Sequence, residues 1–455
     1  MGTGLPCEGA GHRILIENSE YWLRNYGDLA MLEVTVRRIR RRWPRARIGI
    51  MTESPALVAA YFPGAVGITV GAGDPWGRNR PLDRIAALVG PGVVGPVAMT
   101  WLRARAWALP RAIRARDRLR RSESGTAPTS TSTSNEVDAT PRIERRHPGA
   151  ARAVREASLV LALGGGYLTD ADLPQAGRLL DLLEYAGAAG IPTAMVGQGI
   201  GPMRDPELRE HTARVLATIP VLAVRERRRA PALLESLGIG AEAFAVTGDD
   251  AVELAVEARK ELPGNDIGVC LRIARYAPVA RRAQDAVGAA VRTVAREFET
   301  RLRPLLIAET PGSPDRATTL PLVRGGAHTA PQARFVSARE LPARVADCRV
   351  LVTGAYHLAV FALSQGIPVV ALTSTEYYDD KFLGLEEMFG GGIRLIHLDD
   401  PELEQRVATA VREAWKEADS VREALRAAAD DQVAASRQAF ERVFTLLERT
   451  HADHA

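Results

Sequence analysis

The 455-residue sequence contains no uninterrupted apolar run of about 18 residues, so no membrane-spanning helix is expected. Its first 13 residues lack the basic start and apolar core of a secretory signal. Cysteine is scarce. Cys7, Cys270 and Cys348 are scattered and without metal-ligand spacing, which fits reduced thiols and a cytoplasmic location. The glycine-rich stretches do not match G-x-G-x-x-G, so NAD or FAD is not supported, and no Walker A pattern occurs. No metal-binding constellation is visible. The formal net charge of +4 is a modest excess, and no nucleic-acid partner is expected.

Apolar, charged, glycine and proline contents are those of a soluble globular protein. The length allows two domains, because single cores rarely grow past about 250–300 residues. Arginine dominates the basic residues, which suits phosphate or carboxylate recognition but equally follows from a biased genome. Residues 12–18 read as a first strand. Asp28 can cap the helix that follows, which Pro44 ends, and residues 47–51 read as a second strand. A short helix over 55–62 and a strand over 65–70 continue a β-α-β-α rhythm, the mark of a parallel, doubly wound sheet.

That rhythm fails over residues 101–149. Arg111, Arg114, Arg118 and Arg121 recur three or four apart, beside a thin apolar stripe with Trp101 and Trp107. The polar low-complexity segment 122–136 cannot bury enough surface to fold. The region reads as an insert, helical at first, and replacement of 122–148 by a short linker is expected to leave stability nearly unchanged. A basic helix with tryptophans is compatible with a peripheral contact to an anionic membrane. A solvated helix packed on its own domain is the favoured reading, because Pro110 interrupts the pattern. Order returns at 159–163, which runs into Gly164, Gly165 and Gly166. Gly197, Gly199 and Gly201 follow the strand at 193–196, and Arg225 ends the strand at 221–224. Arg227, Arg228 and Arg229 read as solvated surface charges.

A second alternating unit begins near Ile267. Arg272 ends its first strand, Arg275 and Tyr276 follow, and a strand is expected over 304–308. The richest stretch is 350–390. An apolar strand breaks at Thr353-Gly354, a helix carries Tyr356 and His357 at its start, and Gly366 and Pro368 stop it before the next strand. In open parallel sheets, ligands sit at such strand ends. Helix N-termini attract anions. After 393–398, two helices are expected, over 401–416 and 420–449. The expected domains are 1–262, 263–400 and a helical 401–455 that crosses back as a brace.

These blocks resemble, in order, the polysaccharide pyruvyl transferase family. Asn25-Tyr26-Gly27-Asp28 matches its N-x-G-D, and Leu163 to Gly166 with Asp170 its glycine-rich block. Residues 197–202 match GQGIGP, Val224-Arg225-Glu226 matches V-R-E, and Thr247-Gly248-Asp249-Asp250 matches its aspartate segment. The turn at His357, the helix after it and the Tyr377-Tyr378…Lys381 segment complete the pattern. The resemblance covers roughly residues 14–395, less the insert. It implies two doubly wound Rossmann-like α/β domains facing across a cleft, GT-B-like. It also implies transfer of a pyruvyl group from phosphoenolpyruvate to hydroxyls of a cell-surface glycan or its precursor, free or lipid-linked, with no cofactor.

The chemistry needs a general acid near neutral pKa for the donor's methylene carbon, which His357 can supply. It needs cations on the donor's carboxylate and phosphate, for which Arg225, Arg272 and Lys381 are candidates. Tyr356, Asn25, Asp28, Gly165, Gly166 and Gly199 complete the expected substrate site. Many family members carry arginine two positions before the histidine, where this sequence has Ala355, so the donor could be held differently or be different. Two alternatives stay open: a GT-B glycosyltransferase using a nucleotide-sugar, and a non-catalytic member that binds a glycan or a partner. The first lacks an acidic donor-ribose signature; the retained His357, Arg225 and Lys381 lean against the second.

Overall fold

Parallel strands covered on both faces require near-continuous apolar runs. The strands here meet that condition, with Ile14–Ile16, Leu159–Ala162 and Val369–Ala371 fully buried. The computed structural model describes residues 11–18, 20–71, 74–77, 81–123, 142–272, 279–309 and 315–452, the side chains of 106, 109–123 and 451–452 excepted. Arg275 and Tyr276 lie outside the described residues, as do the side chains of Arg111, Arg114, Arg118 and Arg121.

The first sheet contains β1 (Arg13–Glu17), β2 (Arg47–Met51), β3 (Val66–Ile68), β4 (Leu159–Ala162), β5 (Gly165–Leu168), β6 (Thr193–Ile200), β7 (Val221–Val224) and β8 (Phe244–Val246). Its order is β3-β2-β1-β4-β6-β7-β8, with β5 paired to β6, and every pairing is parallel. The second sheet contains β9 (Asp266–Cys270), β10 (Leu302–Pro304), β11 (Cys348–Thr353), β12 (Val369–Thr373) and β13 (Ile393–His397), ordered β10-β9-β11-β12-β13 and again all parallel. In each sheet the chain starts inside, winds outward, then returns to the other side of its first strand. That reversal opens a crevice at the strands' carboxyl ends, between β1 and β4 in one sheet and β9 and β11 in the other. The protein is thus an α/β fold of two Rossmann-like units.

The strand expected over 304–308 is shorter, because its second half pairs elsewhere. Tyr26 donates its backbone N–H to the Ile307 carbonyl at 2.9 Å, Glu309 donates to that of Arg24 at 3.0 Å, and Asn25 and Ala308 form an antiparallel bridge. The stretch beyond β10 thereby joins the second unit to the entrance of the helix Tyr26–Arg42.

Two further expectations are corrected. The chain ends in one helix, Leu403–Ala452, rather than two, since Glu417-Ala418-Asp419 offers no proline or glycine to break it. Its Trp415 stacks on Phe298 at 4.8 Å, and its Phe444 meets Trp43 edge-on at 5.0 Å, so one helix touches both units. The insert is also less detached than the sequence suggests. A helix spans Pro91–Glu123, continuing through Pro110. At the other end, Ile143 is buried, and a side chain on Gly149 would strike the Gly71 carbonyl oxygen. The span 122–148 therefore cannot be exchanged for a linker without removing part of a core.

Between the first unit and the terminal helix lies a buried ionic cluster. Glu253, from the helix Ala251–Glu257, accepts from Arg38 and from Arg37 (2.9 Å), and Arg437 of the terminal helix lies 3.4 Å away. The Arg38 guanidinium also stacks on Phe440 at 4.4 Å and donates to Ser436 at 2.8 Å. Burial alone would raise the Glu253 carboxyl, but Arg38 and Arg437 bring it down to about 2. Its stabilising contribution is present above the ordinary carboxylate pKa and is lost as pH falls towards 2. Glu253→Ala, which strands a buried guanidinium, should cost about 3–5 kcal/mol in urea denaturation. Glu253→Leu combined with Arg38→Met should recover most of that loss.

Candidate functional site

The two crevices open onto one cleft of about 280 Å³, lined from the first unit by Asn25, Asp28, Gly166 and Arg225 and from the second by Arg272, Tyr356, His357 and Lys381. A second chamber of about 570 Å³ adjoins it, lined by Gly199, Pro202, Met203 and Leu233 among others. Gly166, Arg225, Tyr356, Tyr377 and Lys381 line both. All but two of the residues expected from sequence meet in the smaller cleft. Gly199 lines only the larger chamber, and Gly165 is buried one residue back, opposite Gln198 in the β5–β6 register.

His357 sits on the first turn of the helix Tyr356–Ser364, directly after β11. Ala355 adopts the extended cap conformation, and no side chain caps this helix start. Opposite stands the start of the helix Tyr26–Arg42, capped by Asn25, whose side chain accepts the Gly27 N–H at 2.9 Å. The two starts touch. A Cβ added to Gly27 would fall 2.0 Å from Cγ of His357 and 2.1 Å from its Nδ1. The glycine of the N-x-G-D block is therefore a steric requirement of the imidazole.

The ring's other nitrogen, Nε2, lies 3.6 Å from Oδ2 of Asp249 and is buried without a hydrogen-bond partner among the described residues. Burial pushes the imidazole down to about 4; Asp249 opposes this, while Arg225, Lys381 and Arg272 reinforce it. His357 is thus neutral at neutral pH in this setting, below the near-neutral pKa expected from the sequence. From pH 6.5 down to about 4 the unfolded chain binds the proton more readily, so this group costs stability as pH falls through that window.

The cations are held in place by specific partners. Arg225 is buried, pairs with Asp249 at 3.2 Å and stacks on Tyr356 at 4.3 Å. Burial works against its charge, but Tyr356 and Asp249 more than offset that, and its pKa stands above the usual arginine value. Only a glycine fits beside it at position 199, where a Cβ would lie 2.7 Å from the arginine Nε. Lys381 lies over the Tyr377 ring at 4.0 Å, and the Tyr377 hydroxyl donates to the Gly166 carbonyl at 3.3 Å, tying the helix Glu376–Phe389 to the glycine-rich loop. Arg272 stands 3.5 Å from the fully buried Asp315, which also accepts the backbone N–H groups of Ile307 and Ala308.

These three cations form a basic wall suited to a small polyanion; Glu20, Asp28 and Asp172 line the same cleft, the Glu20 carboxylate accepting from Arg24 at 3.0 Å. Sequence reasoning missed Asp249, Asp172 and Tyr377. Asp249 was within reach, since it sits in the Thr247–Asp250 block just after β8. Arg228 and Arg229 are exposed, as expected of solvated charges, and also engage Asp380 and Glu387 of the helix Glu376–Phe389 at 2.6–2.9 Å. The turn after β7 thus fastens the two units together beside the cleft. Asp181, Glu184 and His211 form the cluster of potential metal ligands among the described residues; it lies off the cleft, with Glu184 already bound by Arg214 and His211.

Two Rossmann-like units enclosing a charged cleft define a GT-B architecture. Solved structures share it across almost the whole chain. The UDP-GlcNAc 2-epimerase of Neisseria meningitidis bound to UDP-GlcNAc is 11% identical with a TM-score of 0.52, covering 95% of this chain and 100% of that one. MnaA of S. aureus with UDP is 11% identical with a TM-score of 0.53, covering 96% and 97%. At such identities the likeness is one of fold. No curated protein matches the sequence. The chain belongs to the polysaccharide pyruvyl transferase family, whose sequence profile matches residues 25–376 and so takes in every residue of the cleft except Glu20, Tyr377, Tyr378 and Lys381.

Helix propensity and the geometry at position 27 make opposite predictions. Alanine is favoured over glycine by about 1 kcal/mol in an ordinary helix. Overpacking costs about 1–3 kcal/mol, and occasionally more. Gly27→Ala should therefore lower the melting temperature and move the His357 ring resonances in an NMR spectrum. A stabilised variant with unmoved ring signals contradicts this geometry.

Proposed function

We propose that this chain transfers a pyruvyl group from phosphoenolpyruvate to two hydroxyls of a glycan, forming a ketal and releasing phosphate. One observation carries the reading: Arg225, Arg272 and Lys381 surround a buried, unpartnered imidazole nitrogen in a cleft small enough for a three-carbon phosphate. The arginine common in the family two positions before this histidine is replaced by Ala355, which lines the same cleft as the three remaining cations.

The donor's carboxylate and phosphate lie against the basic wall. A guanidinium can hold either group through two parallel N–H donors, and a lysine acts as a point charge. His357 gives a proton to the methylene carbon, which becomes a methyl group, while positive charge builds on the neighbouring carbon. A first hydroxyl adds there, and its proton restores the imidazolium. A second hydroxyl displaces the phosphate, which leaves with the remaining proton. The carboxylates of Glu20, Asp28 and Asp172 are placed to orient the incoming hydroxyls.

The depressed pKa of His357 gives this scheme an order of events. Without a bound donor, burial first and the surrounding cations second keep the imidazole neutral. A polyanionic donor cancels the cations' repulsion and makes the charged imidazole favourable, so the acid is created by the substrate it serves. An NMR titration of His357 should show protonation near pH 4 in the free protein and a midpoint shifted towards neutrality with bound phosphoenolpyruvate. A midpoint that ignores the donor removes His357 from the role of acid.

Binding and turnover separate the remaining roles. Phosphoenolpyruvate at about 100 times its Kd should add about 2.7 kcal/mol of stability in a thermal-shift experiment, and UDP-sugars should add less. His357→Ala should lower turnover by about 10²–10⁴ with the donor still bound. Arg225→Ala and Lys381→Ala should instead weaken donor affinity. Stabilisation by a UDP-sugar alone, or a fully active His357→Ala, overturns the proposal.

A further inference from the structure

Large apolar side chains are seldom left in water as a contiguous group unless the surface has a partner. Ten such side chains are exposed among the described residues, and eight of them fall between Leu82 and Trp107. They belong to two successive helices, Pro81–Val89 and Pro91–Glu123, joined at Gly90. Leu88 is 87% exposed, Val97 66% and Trp107 63%.

The spacing shows that this is a face. Val93, Val97 and Trp101 recur every four residues, one stripe of a helix. The residues between them turn inward: Met99 is buried, and Gly95 lies so close to Phe335 that a Cβ would fall 2.1 Å from its ring. The second helix is therefore fixed to the body along one side and presents the other. Arg84, Arg103 and Arg105 are exposed around the stripe, Arg105 lying 5.4 Å from the Trp101 ring centre and pairing with Glu53 at 3.4 Å. Over residues 81–123 the sequence has nine arginines against three acids, Asp83, Asp117 and Glu123.

We propose that this face docks the protein onto the surface of an anionic lipid bilayer. Tryptophan and aliphatic side chains enter the interfacial region while flanking arginines meet the headgroup charge. No described helix is long and apolar enough to cross a membrane, so the contact is peripheral. A second copy of the chain is the poorer occupant, because a two-fold contact would set arginine-rich segments against each other.

The platform adjoins the cleft. Trp101 and Trp22 have ring centres 6.4 Å apart, and the Trp22 N–H donates at 3.0 Å to Glu20, a cleft residue. Docking therefore holds the cleft's rim beside the bilayer. If the transferase reading holds, that position suits acceptor glycans carried on a lipid; the docking itself does not rest on that reading.

Flotation of the whole chain with phosphatidylglycerol–phosphatidylcholine vesicles tests the proposal against pure phosphatidylcholine. At least tenfold preference for the anionic vesicles is expected at low salt, declining as salt is raised. Leu88→Glu/Val97→Glu/Trp107→Glu should lose at least tenfold in binding with an unchanged melting temperature, because all three positions are exposed. Arg84→Ser/Arg103→Ser should weaken binding and flatten its salt dependence. Turnover on a water-soluble acceptor should be unaffected by the triple variant, so vesicle binding and pyruvyl transfer are read separately. Equal flotation of wild type and triple variant, or none with anionic vesicles, overturns the proposal. So does a dimer that the triple variant disperses in the absence of vesicle binding.

Discussion

The missing side chain at Gly27 is the constraint on which the cleft depends. Two helices, one from each Rossmann-like unit, meet end to end there, with an imidazole filling the space a Cβ would need. Both starts bring positive ends of helix dipoles to one place, and three cations are gathered around them. A longer residue at 27 would push the units apart, and the backbone bridge between Asn25 and Ala308 would open with them. Steric economy at one position thus sets the distance across the site.

Around that contact the protein concentrates positive charge in a buried setting. Asp249 partly neutralises Arg225, and Asp315 stands beside Arg272. Such pairs fix the guanidinium planes before any ligand arrives, which saves ordering entropy at the moment of binding. Burial keeps the imidazole among them uncharged, with Arg225, Lys381 and Arg272 adding to that and Asp249 opposing it. Tyr356 and Tyr377 add aromatic faces to Arg225 and Lys381, so cation and ring are positioned together.

Much of this was legible in the chain. The break at Thr353-Gly354, the helix bearing His357 and the ordered family blocks pointed to the cleft, because strand-end loops are where such folds place ligands. What escaped was set by distance in sequence. The partnership of Gly27 with His357 joins residues 330 positions apart, and no local pattern records it. Arg228 and Arg229 are surface charges, and only the fold shows that they pair with the helix Glu376–Phe389. Ile143 sits in a polar neighbourhood and reveals its burial only once the helices Pro148–Arg155 and Leu173–Ala188 pack against its own. The apolar face on residues 82–107 was masked differently: helical periodicity reports that a stripe exists, not whether the core claims it. The terminal helix runs on where two were expected, because residues 417–419 carry neither proline nor glycine.

That terminal helix has a consequence for biogenesis. Leu403–Ala452 leaves the ribosome after both sheets have been made, yet its residues contact Phe298 in one unit and Trp43 in the other, and its Ser436 and Arg437 join the ionic cluster of the first unit. Domains fold as units during synthesis, amino-terminal first. The two halves can therefore mature separately while Arg38 and Glu253 still lack part of their surroundings. The joint between the halves is completed only when this fifty-residue helix arrives, after both sheets have been made.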